Sequence, residues 1–265
     1  MKSLLIILLI LAGIQVVAAQ EVKTITWPDG NEIALSLTFD DGRESQVIHG
    51  TPLFDEFGVK ATFYVLPSAV EKKLNEWKAA VKNGHEIGNH SRVHPCSGNF
   101  HWSRKNALEE YTPEKMKVEL KQANTEIKKL LSVDATQFAY PCGQTFVGRG
   151  KLTSSYVPVI AELFQTGRGW LSEAPNDPMY CDQWQLTGIE SDGKDFEKIL
   201  TIINQARAQR SWVVLAGHDI AESGDQTTRV AMLRALLEYA RDPKNKIWIA
   251  PVGVVNKFVQ TQRPR

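Results

Sequence analysis

The 265-residue sequence is poor in cysteine and has no excess of charge of either sign. Three cysteines are too few for a disulfide-rich miniature fold. The 31 basic and 30 acidic side chains leave a net charge of +1, which excludes a strongly basic surface, so we expect no nucleic-acid partner. Beyond the amino terminus no run of about 18 apolar residues occurs, so we expect no membrane span in the mature chain.

The hydrophobic run that is present lies at the amino terminus. Lys2 precedes the apolar stretch Leu4–Ile14, and small residues follow it. This pattern predicts a cleaved signal peptide over residues 1–19. An uncleaved anchor is the alternative, but the run is short for a span and Gln15 interrupts it. We therefore expect residues 20–265 to act as a secreted, periplasmic or extracellular protein.

Short apolar segments alternate with segments of helical periodicity along the rest of the chain. The segments Ile33–Phe39, Lys60–Leu66 and Trp212–Ala216 predict buried strands, whereas Ser68–Lys82 and 112–131 predict helices. Seven or eight strands, each followed by a helix, predict an α/β fold with a mostly parallel sheet covered on both faces. Without a linker, one barrel-like domain is favoured, and an open doubly wound sheet is the alternative.

Reactive side chains follow four of these strands. Asp40 and Asp41 follow the first strand, His90 the third, Cys142 the fourth, and His218 the strand that ends at Ala216. The carboxyl ends of parallel strands meet at one edge of a barrel, and this edge is where active sites form. We therefore expect these side chains to share one site.

Each motif has an ordinary structural explanation when it is taken alone. Asp40 and Asp41, followed by a glycine, are typical of a turn. Adjacent carboxylates repel, however, and are easier to tolerate if a metal neutralises one and the other acts as a base. His90 and His94 would lie on one face of a helical turn, close enough to bind one ion, although such pairs are common on surfaces. His218 alone could be a buried core histidine.

Taken together, the motifs resemble the polysaccharide deacetylases, the carbohydrate esterase family 4 enzymes with a NodB-homology domain. The resemblance spans roughly residues 33 to 220. It is carried by four segments: Leu37-Thr38-Phe39-Asp40-Asp41-Gly42, His90-Ser91-x-x-His94, Tyr140-Pro141-Cys142-Gly143 and Val213-Val214-Leu215-Ala216-Gly217-His218. It implies a distorted (β/α) barrel in a single domain, in agreement with the strand and helix pattern.

The resemblance also implies a divalent metal site. Asp41, His90 and His94 would be the ligands of the metal, most commonly Zn²⁺, with Co²⁺ or another divalent ion as alternatives. Three protein ligands leave a position open for water and for the acetyl oxygen.

The other roles that the resemblance implies concern the reaction itself. Asp40 would be the general base that takes a proton from water, and His218 would protonate the leaving group. The backbone N–H of Cys142 would stabilise the oxyanion, and Leu215 would help form the pocket for the acetyl methyl group. The products would be acetate and a deacetylated sugar.

The sequence departs from the family pattern in two motifs. Ala139 stands where the family carries an arginine that orients the catalytic base, and Arg149 or Arg168 could replace that arginine from another loop. The family's Asp-Trp pair near the acid histidine is approximated by Asp182 and Trp184, which we predict to bind substrate.

The cysteines and one long loop give two further hypotheses. Cys96, Cys142 and Cys181 lie in or near the motif loops, and we expect two of them to form a disulfide that holds these loops together; three small buried residues are the alternative. In the loop 96–111, Trp102 with its neighbours could pack against a sugar ring or fold onto the protein body.

Three functions are consistent with these observations. The first is a secreted, metal-dependent deacetylase that removes N-acetyl or O-acetyl groups from a polysaccharide or oligosaccharide. The second is a metal-dependent amidase for a small non-sugar amide, which a narrow pocket would favour. The third is a carbohydrate-binding relative with impaired turnover, which the missing arginine suggests. A dinucleotide-dependent dehydrogenase and a serine hydrolase are disfavoured because their glycine-rich signatures are absent from the sequence.

Overall fold

The computed structural model describes residues 25–263. The predicted signal peptide, residues 1–19, lies outside the described residues. Among the described helices, none combines the length and the apolar character that crossing a lipid bilayer requires.

Twelve strands form within the described residues, and most of them are short. Their bounds are β1 Ile33–Phe39, β2 Thr62–Val65, β3 Glu86–Asn89, β4 Gln137–Ala139, β5 Phe146–Val147, β6 Ser154–Ser155, β7 Thr166–Arg168, β8 Ile189–Glu190, β9 Trp212–Gly217, β10 Asp219–Ala221, β11 Thr227–Arg229 and β12 Ile247–Ile249. All seven residues of β1 are buried, as expected for a strand covered on both faces.

Eight α-helices connect and cover the strands in the same part of the chain. Their bounds are α1 Thr51–Glu56, α2 Pro67–Lys72, α3 Leu74–Lys82, α4 Pro113–Leu131, α5 Val157–Leu163, α6 Phe196–Ala208, α7 Val230–Arg241 and α8 Val252–Gln262. The longest, α4, begins where its sequence predicts: the Thr112 side chain accepts a hydrogen bond from the N–H of Lys115, and Pro113 occupies the first helical position.

The strands of the main sheet are all parallel. Its order is β7-β4-β3-β2-β1-β9-β8, and β12 pairs with the first half of β1. A parallel bridge between Arg168 and Leu186 joins the end of β7 to the segment that leads into β8. The two ends of the sheet therefore meet, and the sheet curls into a barrel instead of staying open. The prediction of a single-domain α/β barrel with seven or eight mostly parallel strands is confirmed.

Side chains of the strands alternate between two packing environments. On β9, Val213 and Leu215 belong to the main hydrophobic core with residues of α6 and α7. Trp212 and Val214 instead pack with Ile25, Trp27 and residues of α8. The helix predicted over Ser68–Lys82 is interrupted at Lys73, whose backbone leaves the helical region and separates α2 from α3. These differences shift element boundaries without changing the barrel.

Candidate active site

A cavity of about 510 Å³ opens at the carboxyl end of the barrel. Seven of the predicted site residues line it, Trp102 and Cys142 among them; the five with titratable side chains are Asp40, Asp41, His90, His94 and His218. They come from loops that follow β1, β3 and β9, which are neighbours or near neighbours in the sheet. The strand-end argument therefore placed these side chains together correctly.

Asp41, His90 and His94 form a cluster with the geometry of a metal site. Their ligand atoms all lie within 4.8 Å of one another. Oδ1 of Asp41 is 3.6 Å from Nε2 of His90 and 3.5 Å from Nε2 of His94. Ligands of a tetrahedral zinc ion at 2.0–2.1 Å are separated by about 3.4 Å. One carboxylate and two imidazoles are also a donor set that divalent zinc and cobalt accept, so the residues fit such an ion.

The loop after β3 that carries His90, His94 and Cys96, here called the histidine loop, has a backbone conformation that the sequence did not predict. His90 and His94 do not share a helical turn: Ser91 and His94 have positive φ values of 68° and 51°. The Ser91 hydroxyl accepts a hydrogen bond from the N–H of His94, and Glu119 on α4 accepts from the backbone of residues 92 and 93. This irregular turn still brings the two imidazole rings to a centroid separation of 4.8 Å.

Hydrogen bonds and burial prepare both imidazoles for metal binding. Nδ1 of His90 lies 2.9 Å from the carbonyl oxygen of Ala139 and donates to it, which leaves the Nε2 lone pair directed at Asp41. Burial, reinforced by the neighbouring His90, lowers the pKa of His94 to about 4. His94 is therefore neutral at neutral pH, which is the form that binds metals.

Arg43 binds the other carboxylate oxygen of Asp41, Oδ2. Its Nε donates to Oδ2 of Asp41 at 3.0 Å, and its Nη1 donates to Asp219 at 2.6 Å. Burial alone would raise the pKa of Asp41, but the imidazoles and the Arg43 guanidinium keep it below its ordinary value. Asp41 thus presents Oδ1 as a charged, oriented ligand.

Asp40 forms a fully buried ion pair with Arg168 at the end of β7. Nη2 of Arg168 donates to Oδ1 of Asp40, and both side chains are almost inaccessible to solvent. Burial alone would raise the pKa of Asp40, but Arg168, aided by His90 and His218, lowers it to about 2. Asp40 is therefore a carboxylate at any working pH.

Arg168 takes the place of the arginine that the family pattern puts at Ala139. The two residues are register partners in the parallel pair β4–β7, so the guanidinium comes from the adjacent strand. A Cβ at Gly188 would lie 2.3 Å from the carbonyl oxygen of Gly169 and 2.5 Å from Cδ of Arg168, so a larger residue there would clash with both.

His218 is oriented by Asp192, which follows β8. Nδ1 of His218 donates to Oδ2 of Asp192 at 2.7 Å, while Oδ1 accepts from the His218 backbone and from the Thr228 hydroxyl. Burial alone would lower the pKa of His218, but the hydrogen bond to Asp192 and the charge of Asp40 raise it above its ordinary value. The ring of His218 is thus fixed by Asp192, and its Nε2 is left for the cavity.

A disulfide between Cys96 and Cys142 joins the histidine loop to the loop after β4. The hypothesis that two cysteines hold these loops together is confirmed. Cys142 lines the cavity with a positive φ of 55°. Cys181 is the free cysteine of the described residues, and its Sγ accepts a hydrogen bond from Arg263.

Three of the predicted substrate-binding residues lie away from the cavity. Asp182 is exposed and caps its own loop by accepting from the N–H of Trp184, whose indole donates to the carbonyl of Phe164. Leu215 packs into the main core because strand alternation turns it toward the helices. The aspartate that supports His218 is Asp192, not Asp182.

Aromatic side chains form the rim of the cavity. Trp102, 60% exposed, stacks on Phe100 at 5.5 Å, and its ring lies 5.6 Å from that of His94. In the loop after β7, the ring of Trp170 meets the ring of His218 edge to face, with their centroids 5.1 Å apart. The structure therefore places Trp102 at the cavity, as the sequence suggested, and Trp170 lies at the cavity too.

Two more residues of the site also follow strands. Arg168, which the sequence analysis named with Arg149 as a replacement for the family arginine, ends β7, and Asp192, which it did not name, follows β8. Their strands have only three and two residues, too short for a clear periodic signal.

Residues 28–152 match the family model described as polysaccharide deacetylase. These residues therefore belong to a polysaccharide deacetylase domain. The resemblance based on the sequence motifs is thereby confirmed, and the matched residues contain the aspartate pair, His90, His94 and both cysteines of the disulfide.

Curated relatives match this chain over only a small part of their own length. A gellan lyase of a Bacillus species is 24% identical over 264 residues, which are 91% of this chain and 10% of that protein. The peptidoglycan-N-acetylglucosamine deacetylase PgdA of Listeria monocytogenes is 42% identical over 62 residues, 23% of this chain and 13% of that protein. The matches thus cover about a tenth of the length of each of these two relatives.

Solved structures share the fold of the deacetylase domain. A protein of Mycobacterium smegmatis, described as a candidate polysaccharide deacetylase, superposes with a TM-score of 0.65 and 16% sequence identity. The match covers 91% of this chain and 98% of that one. The barrel is therefore the fold of the whole described chain.

Proposed function

We propose that the protein is an exported, metal-dependent deacetylase that hydrolyses N-acetyl groups of a polysaccharide and releases acetate. The observation that carries the proposal is the convergence of a buried carboxylate, a three-ligand cluster and an aspartate-supported histidine on one cavity. Acetyl transfer to water requires a base, an acid and a site for the oxyanion, and this cavity contains a candidate for each.

Asp40 is the base in this proposal. Its carboxylate is held by Arg168 and stays ionised, so it can accept a proton from an attacking water near the metal-facing cluster. Its low pKa makes it a weak base in the free protein. Its other contribution is to keep a negative charge next to His218, which favours the protonated imidazole.

His218 is the acid that protonates the leaving amine. Asp192 fixes its ring so that Nε2 faces the cavity, and the raised pKa keeps the imidazole protonated closer to neutral pH. The backbone N–H of Cys142, held by the disulfide, is the candidate donor to the oxyanion.

Asp41, His90 and His94 would hold the divalent ion, with Zn²⁺ the most suitable and Co²⁺ an alternative. When bound, the ion supplies a Lewis acid that polarises the acetyl carbonyl and acidifies water. Arg43 and Ala139 orient the ligands through Asp41 and His90.

The substrate class follows from the cavity rim and from the relatives. Phe100 and Trp102 offer an exposed stacked aromatic surface next to His94, which suits the apolar face of a sugar ring. Several curated relatives are peptidoglycan-N-acetylglucosamine deacetylases, which favours an amide of an amino sugar over an ester. A signal peptide over residues 1–19 would bring the enzyme to an extracellular or periplasmic polymer.

The test is acetate release from N-acetylglucosamine oligomers, peptidoglycan and acetylated xylan. Metal-free protein is compared with zinc-loaded and cobalt-loaded protein, and each with Asp40→Asn. We expect metal-dependent release from the N-acetylated substrates and a loss of about a hundredfold or more in Asp40→Asn. Asp134→Asn, an exposed aspartate paired with Lys128 on the surface, is the matched control.

Two outcomes would contradict this proposal. Stoichiometric metal binding without acetate release from any glycan would leave a binding protein or an amidase for small amides. Equal activity of Asp40→Asn and wild type would remove the base from the mechanism.

A further inference from the structure

The two histidines that would bind the ion are oriented in different ways. The ring of His90 is fixed through its second nitrogen, because Nδ1 donates to the carbonyl oxygen of Ala139 at 2.9 Å. Nδ1 of His94 lies 3.6 Å from Sγ of Cys96, and sulfur is a weak hydrogen-bond partner. Metal-binding histidines are usually oriented by a strong hydrogen bond from the second ring nitrogen. The orientation of His94 therefore depends on its backbone more than that of His90 does.

The backbone between the two histidines is attached to α4 by a buried carboxylate. Oε1 of Glu119 accepts from the N–H groups of both Arg92 and Val93, each at 3.3 Å. Glu119 lies in the middle of this helix and is 8% exposed. Asn89, at the start of the histidine loop, also donates to a backbone carbonyl of the helix, at 3.2 Å. The helix is therefore the surface on which this part of the loop is held.

Packing on the same side of the loop is incomplete. A cavity of about 450 Å³ is lined by Arg92 and Val93 of the loop and by Tyr111 and Glu119. Side chains that border an open space lose contacts on that side, so van der Waals contacts alone hold the loop weakly. The Tyr111 hydroxyl donates to Oε2 of Glu119, so both oxygens of this carboxylate have partners. The hydrogen bonds of Glu119 therefore fix the loop where packing does not.

We propose that Glu119 is a positioning residue for the divalent ion: it holds the backbone before His94, so that Nε2 of this histidine stays beside Asp41. The inference rests on the proposed function, because it assumes that Asp41, His90 and His94 bind the ion. Glu119 lines the cavity behind the loop and acts on the ion only through the backbone of residues 92 and 93. Its carboxylate thus sets the affinity for the ion without contacting it.

The experiment measures the dissociation constant of zinc for full-length protein by competition with a chromophoric chelator. Glu119→Asp keeps the charge but withdraws the carboxylate by one methylene group, so its oxygen no longer reaches both N–H groups. We expect this variant to bind zinc about tenfold more weakly than wild type. Glu119→Gln keeps the length and an acceptor oxygen, so its zinc affinity should stay within about threefold of wild type.

Two further variants separate positioning from stability. Leu131→Ala removes a buried core side chain at the carboxyl end of the same helix, so it should lower Tm and leave zinc affinity unchanged. Tyr111→Phe removes the hydroxyl that fixes Oε2 of Glu119 and should weaken zinc binding about threefold in an otherwise intact protein. Wild-type zinc affinity in the folded variants Glu119→Asp and Tyr111→Phe, or an equal loss in Leu131→Ala, would overturn the proposal.

Zinc affinity and acetate release together distinguish this proposal from the proposed function. Weaker zinc binding by Glu119→Asp, beside a wild type that binds zinc but releases no acetate, would support the positioning role and reject the deacetylase. Acetate release by the wild type, with the same zinc affinity in the wild type and in every Glu119 variant, would reject the positioning role alone.

Discussion

At the scale of single residues, the buried pair of Asp40 and Arg168 is the feature on which the chemistry depends most. A carboxylate with almost no solvent contact needs a partner charge, because the cost of burying it alone is several kcal/mol. Arg168 supplies that charge from β7, one strand beside Ala139. The orienting arginine of the family pattern is therefore displaced sideways in the sheet and not lost.

The first prediction tests this displacement by exchanging the two residues. Arg168→Ala leaves Asp40 without its cation, so we expect the pKa of Asp40 to rise. As a result, the acidic limb of the pH profile of kcat/KM should move to higher pH, and kcat/KM should fall about a hundredfold. Adding Ala139→Arg to this variant restores the guanidinium from the neighbouring strand and should recover at least about tenfold. Circular dichroism checks that both variants are folded. An unshifted acidic limb in Arg168→Ala would show that Arg168 does not control Asp40.

At the scale of elements, the site is built from loops that follow strands, and this explains what the sequence could predict. Long apolar strands such as β1 and β9 have clear signals, so Asp40 and His218 at their ends could be placed. The short strands β7 and β8 have weak signals, so Arg168 could be named only as one of two candidate arginines and Asp192 was not found. Asp182 and Trp184 match the residue types of the family's Asp-Trp pair, but they lie in a surface loop away from the cavity. The match in residue type therefore did not predict their position.

The second prediction concerns the disulfide that joins two of these loops. Cys96 and Cys142 are 46 residues apart in sequence, and closing a loop of that length stabilises the folded state by roughly 4 kcal/mol in the chain-entropy model. We expect Cys96→Ala/Cys142→Ala to lower the free energy of unfolding in urea by up to that amount and to reduce kcat, because the Cys142 N–H and His94 lose their common support. Cys181→Ala, which removes the free thiol, is the control. Equal effects of the two changes would contradict a role of the bridge.

At the scale of the whole molecule, the two ends of the barrel differ in what their residues do. Residues of the candidate site follow the carboxyl ends of the strands, whereas residues at the amino ends pack into the core. His90 follows the carboxyl end of β3 and belongs to the cluster with Asp41 and His94, whereas His85 precedes the amino end of the same strand. His85 is buried between the rings of Phe54 and Phe63, and its Nδ1 accepts from the N–H of Ala61. The alternation of strands and helices sufficed to predict the barrel, but assigning His85 a role required the packing around it.

The third prediction follows from the protonation of His85. Burial lowers its pKa to about 4, although Asp55 opposes this effect. The unfolded chain, with an ordinary histidine pKa of about 6.5, takes up this proton first as the pH falls. The contribution of neutral His85 to stability is therefore complete above about pH 6.5, is lost progressively down to about pH 4 and changes no further below that. In metal-free protein we expect the Tm of His85→Gln to fall less steeply than that of wild type between pH 7 and pH 4, whereas His49→Gln, an exposed histidine, should follow wild type. Parallel Tm curves for His85→Gln and wild type would contradict the prediction, because they would show that protonation of His85 does not contribute to the loss of stability in acid.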